Sequence, residues 1–377
     1  MSFYTQCVRP ILFQCDPEWI HNLTLALGEG VGSTVWGRWI LEAVFSYVDP
    51  RLSVSVGGIR FPNPVGMAAG FDKNGRAIQA LSAMGFGFVE VGSVSAHASE
   101  GNPRPRLFRL PVDEAIVVNY GVPNEGALAV AKRVGERETP VPLGINLVET
   151  NTGNPVGPDA VVEEFVEAVK PFRERADYVA LNLNCPNTTG GVSTFDEGPH
   201  LRNLMAEYKR LDGLPAIFLK FTAHTEPKRM EHMLAAVEPF DFVKGFIFNL
   251  PSGKNYALRS PSKIVDGMPG TLCGPPTRKM MDETIRFWYE HMDRERYWII
   301  GSGGISSAED AYRKIRLGAS LVQVYTGLVF QGPGLVKRIH EGLIRLMEKD
   351  GLTHIGQAVG LDHLGERPVG RSRSTVV

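Results

Sequence analysis

Cysteine is scarce in this chain. Cys7, Cys15, Cys185 and Cys273 are the four in 377 residues, and none has the spacing to another that a structural metal site needs. The nine histidines are scattered and none closes an apolar run, so no metal centre is expected. Net charge is also slight, 40 Lys and Arg against 41 Asp and Glu, which leaves no basic surface for nucleic acid. No apolar stretch approaches the roughly 20 residues that span a bilayer. No internal repeat or secretory leader is read, and the one biased segment is a basic tail, Arg367 to Val377. Reduced thiols and a cytoplasmic location are the expectation.

Short apolar runs bounded by Gly, Pro or Asn recur from about residue 60 onward. They are Pro64–Ala69, Gly87–Val91, Pro142–Leu147, Tyr178–Leu183, Ala216–Phe221, Phe242–Phe248, Tyr297–Ile300 and Ser320–Tyr325. Continuous rather than alternating runs are how parallel strands covered on both faces read. Helical spacing lies between them, as in Val161–Val169 and in Ala308–Leu317 after the capping-type Ser306-Ser307. Eight such units over roughly 290 residues predict an α/β fold, a (β/α)8 TIM barrel rather than an open doubly wound sheet. The barrel domain is set at residues 49–377, behind an N-terminal helical extension, residues 1–48.

That extension holds three of the five tryptophans, Trp19, Trp36 and Trp39. Asp16-Pro17-Glu18 is a strong helix start, with a capping Asp, Pro at the first helical position and an acid in the first turn. Trp19, Ile20, Leu23 and Leu27 follow, up to Gly28. A second helix beginning near Ser33-Thr34 sets Trp36, Trp39, Ile40, Ala43, Val44 and Tyr47 on one stripe. Two readings stay open: a cap on the barrel bottom, or a face for a membrane interface or hydrophobic-substrate mouth.

A barrel of this kind carries its chemistry at the carboxyl ends of its strands. The first run leads into Ala68-Ala69-Gly70-Phe71-Asp72-Lys73-Asn74-Gly75 and the second into Gly92-Ser93. The third ends at Asn146, the fifth at Lys220 and the sixth at Asn249. The seventh and eighth deliver Gly301-Ser302-Gly303-Gly304 and Tyr325-Thr326-Gly327, where backbone N–H groups and a hydroxyl suit a phosphate. The fourth run ends in Asn182, Asn184 and Asn187 around Cys185, with Pro186 stopping the strand. A core would have to satisfy every one of those amides, so the cluster reads as facing a ligand. Lys220 and Lys73 are each either snorkelling side chains or fixed charges beside an electron-rich ring, with Asp72 a salt-bridge partner for Lys73.

From Phe13-Gln14-Cys15-Asp16-Pro17-Glu18 to Gly332 the chain resembles the flavin-dependent dihydroorotate dehydrogenases, above all the quinone-linked, membrane-associated class. The most specific stretches are Ala68–Gly75, Gly101-Asn102-Pro103-Arg104-Pro105-Arg106-Leu107-Phe108-Arg109, and Tyr325 to Gly334. The resemblance implies oxidation of dihydroorotate to orotate, a pyrimidine-building step. FMN would contact Ala69, Gly70, Ser93, Asn146, Asn182, Lys220 and Gly274, with its phosphate on Gly303, Gly304, Tyr325 and Thr326. Lys73, Asn119, Asn182, Asn187 and Asn249 would hold the substrate. Cys185 would take the C5 proton while a hydride leaves C6 for the flavin, a role that an ordinary thiol pKa of about 8.5 suits if modestly lowered. A quinone reached through the N-terminal helices, with Arg106 along the route, would take the electrons. Residues 1–48 would touch the inner face of the cell membrane.

The chain also departs from that pattern. A cysteine base is typical of the soluble class, whereas the quinone-linked class has serine. The family's Asn-Arg-x-Gly-Phe-Asn is here Val118-Asn119-Tyr120-Gly121-Val122-Pro123-Asn124. Strict alignment sets Val118 in the place of a substrate-binding asparagine, and a one-residue shift sets Asn119 there. Asn-Thr-Thr becomes Asn249-Leu250-Pro251 behind Phe248, and Gly-Gly-Leu-Ser-Gly becomes Gly270-Thr271-Leu272-Cys273-Gly274. Two alternatives therefore stand beside the leading one: a related flavoenzyme for another small ring or enone, and a non-catalytic flavin-binding protein. Cys185 and Lys220 argue against the second.

Overall fold

Branched and aromatic residues make up most of the strand positions, and Asn182, Asn249 and Gly301 close three of the strands. The computed structural model describes residues 2–135, 139–154, 156–185, 195 and 198–366. A hairpin of β1 (Val54–Val56) and β2 (Ile59–Phe61) comes first, and Phe61 packs edge-on against Phe88 at 5.3 Å. The strands β3 (Val65–Met67) and β4 (Phe88–Val94) follow, then β5 (Leu107–Leu110) and β6 (Ala115–Val118). Next come β7 (Leu143–Val148), β8 (Tyr178–Asn182), β9 (Ala216–Thr222) and β10 (Val243–Asn249). The last are β11 (Thr271–Cys273), β12 (Trp298–Gly301) and β13 (Leu321–Val324).

Eight of them, in the order β3-β4-β7-β8-β9-β10-β12-β13, close into a parallel barrel. All eight coincide with the runs read from sequence. β7 and β8 are buried along their whole length, which explains why they show no polar alternation. The remaining antiparallel sheet, β5-β6-β11, stands outside the barrel. Close approach fixes one glycine: a Cβ on Gly144 would lie 2.2 Å from the Tyr178 ring, so only glycine lets that aromatic fill the barrel interior. The barrel register brings the strand ends level. Asn182 pairs with Lys220, Thr222 with Asn249, and Gly92 with Asn146.

The expected helix caps form. Asp16 accepts from the Trp19 N–H at 2.8 Å and Thr34 from Gly37 at 3.0 Å, opening helices Pro17–Gly32 and Val35–Phe45. The second helix stops two residues short of Tyr47, whose carbonyl instead meets His340 Nδ1 at 3.1 Å. Ser307 caps Ala308–Arg316 through the Asp310 N–H at 3.2 Å. Helix Pro17–Gly32 packs on Ile78–Ala83, the helix after β3, and a Cβ on Gly32 would reach the Ala80 nitrogen at 2.8 Å. The second helix packs on the same element, and its end reaches Gly85, just before β4. Several large apolar side chains of these helices face outward, with Trp36 76%, Val35 71% and Trp39 60% exposed. Among the described residues no helix is long and apolar enough to cross a membrane.

His340, fully buried on helix Leu335–Lys349, has its pKa lowered from 6.5 to about 4 by burial. The unfolded chain binds that proton more readily, so stability falls as pH drops below about 6.5. The loss from this one group reaches about 2 kcal/mol at pH 5. His340→Asn is expected to flatten the decline of the denaturation midpoint between pH 7 and 5. An unchanged slope would show that His340 does not titrate with folding.

Candidate active site

The site is built on a carboxylate with no access to water. Glu90, in the middle of β4, is fully buried and meets four side chains from other strands. Its Oε1 accepts from Asn146 Nδ2 at 2.9 Å and from the Lys220 ammonium at 3.4 Å. Its Oε2 accepts from the Tyr178 hydroxyl at 3.0 Å and Gln323 Nε2 at 2.6 Å. Such a charge is tolerable inside a barrel only when paired and hydrogen-bonded this fully. Burial, and then the Glu90 charge, push the Tyr178 hydroxyl well above its ordinary pKa, so it stays a donor.

From Glu90 the hydrogen bonds climb to the rim. Asn146 Oδ1 accepts from Ser93 Oγ at 2.5 Å, and Asn182 Nδ2 donates to the same Ser93 oxygen at 3.3 Å. Asn182 Oδ1 accepts from Asn249 Nδ2 at 2.6 Å, and that amide also donates to the Asn184 carbonyl at 2.8 Å. Four strand ends are thereby held in one relation. Above them opens a cavity whose lining includes Ala69, Gly70, Ser93, Asn182, Lys220 and Gly274. Gly303, Gly304, Tyr325, Thr326, Lys73, Cys185 and Asn249 border it as well.

Gly303 and Gly304 take φ of +84° and +71°, and a Cβ on either would strike Met281 or Arg278 at 2.7 and 2.8 Å. Glycine is required there, and it leaves backbone and the Thr326 hydroxyl on the cavity wall. Three buried polar atoms of lining residues, Gln323 Oε1, Thr271 Oγ1 and the Tyr120 hydroxyl, have no partner among the described residues, the first two beside Lys220 and Gly274. A cation at Lys220, glycines beside a hydroxyl, and the open Gln323 and Thr271 oxygens fit a ligand that joins a polar ring to an anion.

Lys73 Nζ donates to the Gly70 carbonyl at 2.8 Å and stands 3.9 Å above the Tyr120 ring, where burial lowers its pKa to about 8. Asp72 does not pair with it by hydrogen bond. Its carboxylate accepts from the Arg76 and Ala77 N–H groups at 2.9 and 2.7 Å. Val118, Val122, Phe248, Leu250 and Cys273 form an apolar wall, and burial pushes the Cys273 thiol up to about 12.

A second cavity, about 790 Å³ and almost wholly apolar, lies between the N-terminal helices and the barrel. Leu12, Ile20, Leu27, Val31 and Leu328 are among its walls, and Tyr325 is the residue it shares with the first cavity. Arg109 borders it, stacked 4.5 Å from the Phe13 ring and bonded to the Leu12 and Cys15 carbonyls. Arg106, expected on this route, is instead drawn away by Glu18, with nitrogens 2.9 and 3.2 Å from the carboxylate.

Asn119 is not among the described lining residues: it follows Val118, the last residue of β6, which does line the cavity, and its Oδ1 accepts from Asn102 Nδ2 at 3.1 Å. Asn146 sits one layer beneath the lining, behind Ser93. Asn187 lies outside the described residues. Glu90, Tyr178 and Gln323 were not read as site residues, although an acid and an amide inside otherwise apolar runs were the visible signal.

A family model described as dihydroorotate dehydrogenase matches residues 51–347. A dihydroorotate dehydrogenase (quinone) from Trichormus variabilis is 35% identical over 96% of this chain and 99% of that protein. One from Gloeobacter violaceus is 37% identical over 96% and 99%. The crystal structure of Eimeria tenella DHODH in complex with ferulenol superposes with a TM-score of 0.79, at 29% identity over 93% of this chain and 96% of that one.

Removing one partner of a buried pair typically costs about 3–5 kcal/mol. Glu90→Ala should lower stability by that order in urea denaturation, and adding Lys220→Met should restore part of the loss. Strictly additive losses would mean that Glu90 and Lys220 are energetically independent.

Proposed function

The chain belongs to the dihydroorotate dehydrogenase family, and from that premise we propose that it oxidises dihydroorotate to orotate with FMN and hands the electrons to a quinone. The observation that carries the reading is the shared wall at Tyr325, with a cavity on one side that gathers Lys73, Lys220 and the strand-end amides and an almost wholly apolar one on the other. Two ligands of opposite polarity can each be held against one partition.

FMN fits the first cavity, and when bound it supplies the two-electron acceptor. Gly303, Gly304 and Thr326 would hold its phosphate, while Ala69, Gly70, Ser93, Lys220, Gly274, Gln323 and Thr271 would surround the rest. Asn146 serves from beneath by orienting Ser93. Lys220, tied to Glu90, keeps a positive charge fixed in the floor.

Lys73 holds the substrate carboxylate, and the joined amides of Asn182 and Asn249 orient the ring. Cys185, on the rim beyond β8, takes the C5 proton, which its thiolate accepts as the C5–H bond breaks. The apolar wall and Tyr120 keep water from the reacting carbons.

The N-terminal extension, described from residue 2 to 48, is largely helical and receives the quinone. Its exposed Trp19, Trp36, Trp39 and Val35 suit a peripheral contact with lipid at the inner face of the cell membrane, from which an apolar quinone enters directly.

Dihydroorotate added without oxygen should bleach the FMN-loaded protein. Cys185→Ala should keep FMN bound yet slow that bleaching roughly a hundredfold or more, and unchanged bleaching removes Cys185 from the reaction. Thr24→Trp, which puts a bulky ring into the apolar cavity, should slow reoxidation by a quinone while sparing the bleaching. Equal slowing of both half-reactions would argue against a separate quinone site.

A further inference from the structure

Among the described residues the polar groups above the flavin floor are few: the buried Tyr120 hydroxyl has no partner among them, and the amides are already engaged. Asn249 Nδ2 serves Asn182 and the Asn184 carbonyl, and Asn182 Nδ2 serves Ser93. Lys73 remains for a carboxylate. Against them stands the wall of Val118, Val122, Phe248 and Leu250, joined by the neutral Cys273 thiol. Dihydroorotate carries a carboxylate, two carbonyls and two N–H groups, and a hydrocarbon wall can satisfy none of them.

The wall is also maintained against a backbone preference. Val122 has φ +58°, a left-handed conformation that a β-branched residue rarely takes. The turn is locked by Gly121 at φ +64° and by Asn124, whose Nδ2 donates to the Val122 carbonyl at 2.9 Å. A strained residue that the surroundings hold in place on a ligand cavity points to a role in recognition.

We infer that the site takes, beyond dihydroorotate, dihydropyrimidine carboxylates that carry an alkyl group on a ring nitrogen, with the alkyl group seated against Val118, Val122 and Leu250. This rests on the function proposed above. Methylating a ring nitrogen leaves both reacting C–H bonds in place. The C5 proton still passes to Cys185, a hydride still leaves C6 for FMN, the C5=C6 double bond forms, and the quinone takes the two electrons. The substituent removes an N–H that the wall would leave without a partner and buries a methyl in exchange.

The test uses the full-length, FMN-loaded protein without oxygen. Bleaching rate over half-saturating concentration is compared for dihydroorotate and the two N-methyl-dihydroorotates. The better N-methyl isomer is expected to exceed dihydroorotate by about tenfold or more. Val118→Asn and Leu250→Thr should each swing that ratio back toward dihydroorotate, with the flavin spectrum reporting an intact site. A preference for dihydroorotate over both isomers overturns the inference and leaves the family activity standing, as does a ratio that neither variant moves. A flavin bleached by none of the three compounds overturns both.

Discussion

One buried carboxylate governs this architecture. Glu90 lies at the centre of the barrel, where an unpaired charge could not persist, so the strands around it must each bring a partner. β7 brings Asn146, β8 Tyr178, β9 Lys220 and β13 Gln323. The same contacts reach the rim through Ser93, Asn182 and Asn249. Rigidity in the site is thus inherited from the core: the amides at the surface stand where they do because a charge beneath them had to be satisfied.

Much of this was legible in the sequence because the barrel obeys a simple division. Runs covered on both faces are continuously apolar, and polar residues cluster where those runs stop. The eight strands and most of the lining, from Gly70 to Thr326, follow from that pattern. The same division hid Glu90 and Gln323, polar residues placed within the runs, whose meaning depends on partners far away in the chain. Whether Val118 or Asn119 faces the cavity turns on one residue at the end of β6, and the pairing of β6 with β5 and β11, which ends at Val118, is not visible in the sequence. Arg106 and Arg109 lie three residues apart in one motif, and the carboxylate of Glu18 determines which of them is turned away.

The family assignment and the cavity wall describe different levels of the molecule. The dihydroorotate dehydrogenase family model covers residues 51–347, which hold the whole barrel. Val118, Val122 and Leu250 lie together in the apolar part of the cavity lining. A scaffold whose rigidity comes from beneath can change such a wall without disturbing the chemistry it borders.

Tyr325 has a consequence for how the protein meets its ligands. Because it is the residue common to both cavities among the described residues, any displacement of its ring by a molecule in one compartment changes the outline of the other. Occupants of the two compartments are therefore coupled through one side chain.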